Sequence, residues 1–333
     1  MTVPALRALR AVFPDAEIVL CTRALTEGVF RDADFIDRIL PIENSDSSLF
    51  GIFREASRLR REKFNLAIIL PNSFASALAV RLAGISRRFG YAKDMRWLLL
   101  TDPVVIPAWK DTRHEVFYYR ELIKAVESCL VGTSTVYDTE PNSSLAVSST
   151  RKDEAREFLR QQGIDFSRPV IAVGAGSTNS VAKRWPAERF ARVAELLQRE
   201  FDANIILLGS GGDKIVSDEV ANLLIFKPID LTGKTSIADA VSILSVANLL
   251  ISNDIGLAHV APAVGTRTVV IFGPTNPVTT RPFSPLAEVV RHEVECSPCM
   301  LRECPIDHRC MTRVTVEQVF DVAKSLLGKN DEN

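Results

Sequence analysis

The sequence of 333 residues lacks both a large net charge and a long apolar run. Its 40 Lys and Arg residues against 41 Asp and Glu residues leave a formal charge of -1, which argues against a generally basic nucleic-acid binder. No apolar run approaches the roughly 20 residues of a membrane span. Arg7, Arg10, Asp15 and Glu17 interrupt the opening segment, unlike the apolar core of a signal peptide. We therefore expect a globular cytoplasmic protein without nucleic acid as a partner.

Several catalytic motifs are also missing. The sequence has no Gly-x-Ser-x-Gly nucleophile turn and no His-Glu-x-x-His metal motif. A glycine-rich stretch after Val173 has Asn179 where the dinucleotide fingerprint needs its third glycine, which disfavours a dehydrogenase. In a cytoplasmic chain the 6 cysteines are expected to be thiols or metal ligands rather than a disulfide framework.

The pattern that is present is an alternation of apolar runs, typical of buried parallel strands, with amphipathic stretches. It predicts an α/β fold of two doubly wound, Rossmann-like domains facing a cleft. The polar stretch Thr139–Thr150 marks the boundary, which predicts domains over 1–148 and 149–333. The predicted strands are Ile18–Leu20, Leu66–Leu70, Val170–Val173, Ile205–Leu208, Leu249–Ser252 and Thr268–Phe272, and the predicted helices are Arg113–Cys129 and Pro186–Glu200.

The first candidate site is the loop Gly174–Pro186, between a predicted strand and a predicted helix. Backbone N–H groups of such a loop can hold phosphate. Ser177 and Thr178 add hydroxyl donors, and Lys183 and Arg184 add positive charge. A plain connecting loop with solvated bases is the alternative, but the Lys-Arg-Trp-Pro ending favours a phosphate site.

The second candidate site is Ser252–His259. Asp254 ends a predicted strand, where a carboxylate can accept hydrogen bonds from sugar hydroxyls or orient a base. The N–H groups of Gly256 and Leu257 begin a helix and can contact a diphosphate, and His259 follows in the first turn. The alternative is a helix cap at Asp254 and a core position for His259. Two phosphate-type loops in one domain favour a functional site.

Two further glycine-containing loops are ambiguous. Gly209–Asp213 is either a contact to a ribose or base, or a flexible turn. Thr232–Ser236 lacks the spacing of a Walker loop. Ser236 instead resembles a helix N-cap, with Asp239 at the third helical position.

Cysteines and basic residues are each concentrated in one stretch. Four cysteines follow the spacing Cys-x2-Cys-x4-Cys-x5-Cys, which differs from the paired spacing of a zinc ribbon. We therefore predict reduced thiols or an adventitious disulfide, and no metal in the site. A zinc site with four thiolate ligands is the alternative. The stretch Arg54–Arg96 carries a net charge of +7. These basic residues either lie on solvated helix faces or form a site that binds an anion. The four cysteines are Cys296, Cys299, Cys304 and Cys310, and the basic residues that best suit an anion site are Arg87, Arg88, Lys93 and Arg96.

Together these motifs resemble glycosyltransferase family 9, the ADP-heptose:lipopolysaccharide heptosyltransferases. The resemblance is carried by Lys183–Pro186 after the Gly/Ser/Thr loop, by Ser252–His259, and by Phe272–Thr275. Pro71–Phe74, Arg113–Tyr119 and the cysteine spacing are similar to the heptosyltransferase II branch of the family.

The resemblance implies a GT-B fold and inverting, metal-independent transfer without a cofactor. It places ADP-heptose at the C-terminal half. It places the lipopolysaccharide inner-core acceptor, at the inner membrane surface, at the N-terminal half, where the phosphates of the acceptor would contact Arg87–Arg96. The implied donor residues are Ser177, Thr178 and Lys183 for diphosphate and sugar, Thr235 and Ser236 by the adenosine, and Asp254, Gly256 and Leu257, with His259 beside them, for heptose and phosphates.

The sequence departs from the family at two places. Ser210, Gly211 and Gly212 occupy most of a loop that often carries an acidic side chain for the ribose. The family also begins with a strand and a Gly-Asp loop whose Asp is the base, whereas this sequence opens at Met1 just before the matching Thr-x-Pro-Ala-Leu. We therefore expect a mis-set start or a shortened chain, unpaired edges in the first sheet and no assigned catalytic base. A binding remnant with impaired catalysis, or a family 9 transferase of another nucleotide sugar, is the alternative function.

Overall fold

The computed structural model describes residues 1–42 and 48–328. Residue contacts divide the chain into two compact units, Met1–Glu27 with Asp34–Asn142, and Gly28–Ala33 with Ser143–Asn333. The predicted boundary after residue 148 lies a few residues inside the second unit, and the predicted domain end, 329–333, lies outside the described residues. The acceptor and donor roles of the two domains stay predictions.

The first unit is built from short parallel strands and helices. Three helices of this unit begin after residues whose side chains cap them, such as Ser73, whose hydroxyl accepts a hydrogen bond from the N–H of Ser76. Its elements are α1 (Val3–Val12), β1 (Val19–Arg23), α2 (Ala24–Glu27), β2 (Arg38–Ile42), α3 (Leu49–Glu62), β3 (Leu66–Ile69), α4 (Phe74–Leu82), β4 (Arg87–Tyr91), a 3-10 turn (Arg96–Leu98), β5 (Asp102–Val104) and α5 (Glu115–Val131).

The strands of the first unit form two separate sheets. Strand β1 pairs with β2, and β3, β4 and β5 form a second sheet, all of them parallel. Within residues 1–42 and 48–328, β1 has no partner besides β2 and β3 has none besides β4. Each of these two strands therefore has one unpaired edge, as expected.

The second unit alternates strand and helix throughout. Its elements are α6 (Ser149–Gln161), β6 (Val170–Gly174), a 3-10 turn (Val181–Lys183), α7 (Ala187–Phe201), β7 (Asn204–Leu207), a 3-10 turn (Gly211–Asp213), α8 (Lys214–Leu223), β8 (Ile229–Asp230), α9 (Ile237–Leu244), β9 (Leu249–Asn253), α10 (Gly256–Ala263), β10 (Arg267–Phe272), α11 (Pro277–Thr280), β11 (Ala287–Arg291), α12 (Arg309–Thr312) and α13 (Val316–Gly328).

One 6-stranded parallel sheet, in the order β11-β10-β9-β6-β7-β8, organises this unit. Apolar side chains of α7, α8 and α13 cover one face, and those of α6, α9 and α10 cover the other. The predicted α/β class is thus confirmed, and all the predicted strands and helices are present, with ends that shift by at most a few residues. No helix in the described ranges is long and apolar enough to cross a bilayer.

Candidate functional site

Two predicted candidate loops meet at the carboxyl ends of β6 and β9, which are neighbours in the sheet. Lys183, in the turn after β6, donates from Nζ to the Oδ2 of Asp254 at 2.7 Å, and its Nζ lies 3.2 Å from the Asp254 backbone oxygen. The Asp254 side chain is buried, whereas about a quarter of the Lys183 side chain is exposed. This places one accessible positive charge at the ligand-binding edge of the sheet.

The Asp254 carboxylate also joins the loop after β10 and the helix after β9. Thr275 donates its hydroxyl to Asp254 Oδ2 at 2.8 Å, and the Nε2 of His259 lies 3.9 Å from Oδ1. The predicted alternative of a helix cap does not describe Asp254, because Ile255 is the N-cap of α10. The sequence does not assign Thr275 to the site, although Thr275 lies in the Gly-Pro-Thr segment after a predicted strand.

Asn253 fixes the positions of both loops from the buried end of β9. Its Nδ2 donates to the carbonyls of Ala175 and Gly176 at 2.7 and 3.2 Å, and its Oδ1 accepts from the N–H of Trp185 at 2.9 Å. The Asn253 side chain is fully buried. It therefore ties both ends of the Gly174–Pro186 loop to the strand that carries Asp254.

The Gly174–Pro186 loop also contacts the Gly209–Asp213 loop. Thr178 donates its hydroxyl to Oδ1 of Asp213 at 2.9 Å, and Ser210 donates its N–H and hydroxyl to Oδ2 at 2.9 and 2.6 Å. A Cβ atom on Gly176 would lie 2.2 Å from the Asp213 carboxylate, so this close approach requires glycine. Asp213 is thus an ordered acid next to the predicted donor residues Ser177 and Thr178. The Ser-x-x-Asp spacing was the signal that could have identified it.

The beginning of α10 presents the predicted N–H groups of Gly256 and Leu257. Gly256 is exposed, and a Cβ on it would meet no atom within 4 Å, so open space lies beside it. The first N–H groups of a helix have no partner within the helix and carry partial positive charge. Gly256 and Leu257 follow Asp254 by two and three residues, on the same edge of the sheet as Lys183.

The predicted adenosine residues lie at the start of α9. Ser236 caps α9 as predicted, because its hydroxyl and N–H bond the Oδ2 of Asp239 at 2.7 and 2.9 Å, and Asp239 N–H donates back at 3.2 Å. The hydroxyl of Ser236 is therefore already engaged. Thr235 lines a pocket of about 550 Å³, together with Arg31, Asp32 and Arg151. An adenosine contact at either residue stays a prediction.

The four predicted acceptor-side residues do not form one surface. Arg87 and Arg88 begin β4, and Lys93 and Arg96 follow its other end. Arg96 is fully buried and donates to the carbonyl of Pro71 at 2.7 Å, so it cannot contribute to an exposed basic patch. The expectation of a single anion site over this stretch is wrong in that respect.

Arg87 and Arg88 are engaged with the protein itself. Arg87 donates to both carboxylate oxygens of Asp102, at 2.9 and 2.8 Å, and this holds the pKa of Asp102 below its ordinary value. Arg88 donates to the carbonyl of Leu99 at 2.9 Å. Lys93 is exposed. A role for these three residues toward an acceptor stays a prediction.

The cysteine cluster contains free thiols. Burial, and then the other three thiols of the cluster, raise the pKa of Cys310 to about 11, whereas Cys296 and Cys299 are exposed. In the part of the chain that the structure describes, no three His, Cys, Asp or Glu side chains are arranged to hold a metal ion. Outside the cluster, Cys21 is half-buried and Cys129 is exposed.

Comparison with known proteins identifies the family. The family model described as glycosyltransferase family 9 (heptosyltransferase) matches residues 52–309. Lipooligosaccharide heptosyltransferase 2 of Haemophilus influenzae is 28% identical over 299 residues, covering 84% of this chain and 82% of that protein. Lipopolysaccharide heptosyltransferase 2 of Escherichia coli is 28% identical over 293 residues, covering 86% and 82%.

Solved structures give the same result for the fold. The structure of E. coli ADP-heptose lps heptosyltransferase II matches with a TM-score of 0.80 and 27% identity, over 98% of this chain and 94% of that one. A family 9 glycosyltransferase of Veillonella parvula matches in fold with a TM-score of 0.83 over 98% and 92%, at 24% identity. These neighbours have the predicted GT-B fold. Because the family model covers most of the sequence, the chain belongs to glycosyltransferase family 9 (heptosyltransferase).

Proposed function

We propose that this chain transfers a heptose from ADP-heptose to the inner-core oligosaccharide of lipopolysaccharide, with inversion and without a metal ion. Its relatives are named as heptosyltransferases of lipooligosaccharide and lipopolysaccharide. The observation that carries the proposal for this chain is the contact of Lys183 with Asp254, beside Thr275 and the start of α10. It combines a cation, a hydrogen-bonding carboxylate and open N–H groups at one edge of the sheet.

These groups suit the departure of a nucleoside diphosphate. The acceptor hydroxyl oxygen bonds to the anomeric carbon while the bond from that carbon to the β-phosphate oxygen breaks, and ADP leaves with the electron pair. Lys183 and the N–H groups of Gly256 and Leu257 stabilise the charge that develops on ADP. The acceptor proton passes to a base outside this group of residues. Asp254 holds Lys183 in place and accepts hydrogen bonds from the sugar.

The rest of the donor lies along the neighbouring loops. Asp213 presents its carboxylate beside Thr178 and supplies the acid that the family places near the ribose. Ser177 and Thr178 lie on the diphosphate, and Thr235 lies by the adenosine. His259, close to Asp254, lies beside the heptose.

Replacing Lys183 tests the donor site. We expect Lys183→Ala to weaken ADP binding about tenfold or more, because a charge-assisted hydrogen bond to phosphate is lost. Titration calorimetry with ADP measures this, with Lys324→Ala as the control, since Lys324 pairs with Glu200 on the surface away from these loops. Unchanged affinity in Lys183→Ala would show that the donor-site assignment is wrong.

A panel of donors tests the substrate. Purified protein is given ADP-heptose or other nucleotide sugars with an inner-core acceptor, and release of the nucleoside diphosphate is measured with and without EDTA. We expect transfer from ADP-heptose alone, at a rate that EDTA does not change. Transfer from another nucleotide sugar would move the proposal to a different family 9 activity. ADP binding without transfer would identify a binding remnant.

The acceptor is proposed to be reached at the cytoplasmic face of the inner membrane. Helix α3 supports this, because its outward face begins with Leu49, Phe50 and Phe53 and continues with Arg54 and Arg61. Phe50 is 77% exposed and Phe53 is 56% exposed, whereas large apolar side chains are usually buried. Aromatic tips followed by arginines on one helix face are typical of a helix that lies on an anionic lipid surface.

Vesicle sedimentation tests this surface. We expect the protein to bind vesicles that contain phosphatidylglycerol and to bind pure phosphatidylcholine weakly. The double variant Phe50→Ser and Phe53→Ser should lose most of the binding and keep its affinity for ADP. Ile215→Ser is the matched control, because Ile215 is a large apolar residue in the other unit and is at least as exposed as Phe50 and Phe53. Equal binding by all variants would refute the role of α3.

A further inference from the structure

The cysteine-containing segment Ser297–His308 contacts the loop that carries Lys183 and the loop after β10 that carries Thr275. At the first loop, the N–H of Ala182 donates to the carbonyl of Arg302 at 3.0 Å, and the Ser180 hydroxyl donates to the same carbonyl at 3.2 Å. The Nε2 of His308 lies 2.6 Å from the Ala182 carbonyl, and because a carbonyl only accepts, Nε2 carries the proton. Ala182 immediately precedes Lys183, so these bonds fix the backbone from which Lys183 projects.

The same segment holds the loop after β10. Ser297 donates its hydroxyl to the carbonyl of Gly273 at 2.6 Å, and the N–H of Met300 donates to the carbonyl of Pro274 at 2.8 Å. A Cβ on Gly273 would lie 2.3 Å from the sulfur of Met311, so the chain just beyond the segment is also pressed against this loop. Gly273 and Pro274 precede Thr275, which donates to Asp254.

We propose that Ser297–His308 is a clasp that sets the position of Lys183 relative to Asp254 and Thr275, with His308 and Ser297 as positioning residues. The inference rests on the proposed function, because Lys183 is one of the proposed donor-binding residues. The clasp bonds the neighbours of these residues on both loops. A shift of about 1 Å in a substrate-positioning group can reduce a rate by about 100-fold, so a clasp that reaches both loops controls how well the donor is held.

Two substitutions separate positioning from folding. We expect His308→Ala to raise the KM for ADP-heptose and the Kd for ADP about five- to tenfold, the scale of one lost hydrogen bond. His308→Gln should restore much of the affinity, because the glutamine side chain keeps an N–H donor for the Ala182 carbonyl. Ser297→Ala acts in the same direction through Gly273. His292→Ala is the matched control, because His292 lies before the clasp and between β11 and the cysteines.

A double-mutant cycle with Lys183→Ala is the closing experiment, measured as ADP affinity by calorimetry and as kcat and KM for transfer. If His308 acts through Lys183, His308→Ala changes affinity by less than about twofold in the Lys183→Ala background. Full additivity, or no rescue by His308→Gln, overturns the clasp. Unchanged ADP affinity in Lys183→Ala overturns the proposed donor site instead, so the two failures are distinguishable.

Discussion

The two units differ in how their charged residues are used. In the second unit, a continuous sheet brings Lys183, Asp254 and Thr275 from three separate loops into contact. In the first unit, the basic residues around β4 are distributed over both ends of the strand. Arg87 already forms an ion pair with Asp102. The candidate site is therefore distinguished by the convergence of loops from neighbouring strands and not by a local excess of one charge.

The largest effect is expected when one aspartate in each unit is neutralised, which tests the difference between the units. Asp254→Asn should lower kcat/KM for transfer by about 100-fold or more, because Lys183 loses the charged partner that fixes its position. Asp102→Asn should change it by less than about twofold, because the carboxylate of Asp102 contacts Arg87, Thr101 and Cys129 within the first unit. Steady-state release of ADP measures both.

Equal losses in the two variants would show that the distinction between the units is wrong. Circular dichroism before the assay establishes that both variants are folded. A loss confined to Asp102→Asn would reverse the comparison and point to the first unit as the site of catalysis.

Thiol labelling follows the two units separately and therefore compares their resistance to unfolding. Burial raises the pKa of Cys21 in the first unit, and of Cys310 in the second, to about 11. Two pKa units leave about 100-fold less thiolate, so both should react far more slowly with iodoacetamide than the exposed Cys129 and Cys296. Mass spectrometry of labelled peptides measures the rates.

Adding urea should expose the two slow thiols in order. Cys21 is expected to become reactive first, because its strand β1 has one unpaired edge, whereas Cys310 packs against a continuous sheet. Labelling of both thiols at the same urea concentration would mean that the units unfold together and that the divided sheet does not weaken the first unit.

The sequence was sufficient to predict the strands that carry the site, because buried parallel strands such as Val170–Gly174 are continuous apolar runs. Strand β4 was missed because it begins with Arg87 and Arg88, and β8 because it has only two residues, Ile229–Asp230. The pattern of a strand is read from its side chains, and an edge strand or a polar start weakens that pattern.

The site was predictable in its loops but not in its contacts. Lys183 and Asp254 were both named, since each follows a strand, but their pairing depends on β6 and β9 being neighbours. The motif Ser252–His259 includes the buried Asn253 but does not indicate its structural role. Its three side-chain hydrogen bonds nevertheless hold the two loops together. Such bonds join residues far apart in the chain, and no local pattern reveals them.

A smaller effect is expected from replacing one asparagine in each unit. Asn253→Ala should lower the free energy of unfolding by about 3 kcal/mol, because it leaves buried carbonyl and N–H groups without partners. Asn72, half-buried in the first unit, donates to the hydroxyl of Tyr118 at 2.9 Å, and Asn72→Ala should cost about 1 kcal/mol. Urea unfolding followed by circular dichroism measures both, and Asn179→Ala, at an exposed position, is the control. Equal costs would remove the structural contrast between the units.

The smallest effect is expected at the Arg87–Asp102 pair, which is structural and partly exposed. Its hydrogen bonds lower the pKa of Asp102 from 3.8, so the folded state favours the charged carboxylate. That contribution is complete above the pKa of the unfolded state and is lost as the pH falls through the lower folded value. Arg87→Gln should therefore unfold at slightly less urea than the wild type at pH 7, and the difference should shrink as the pH falls below 3.8. Transfer at pH 7 should be unchanged; a loss of transfer with unchanged stability would instead return Arg87 to the acceptor site.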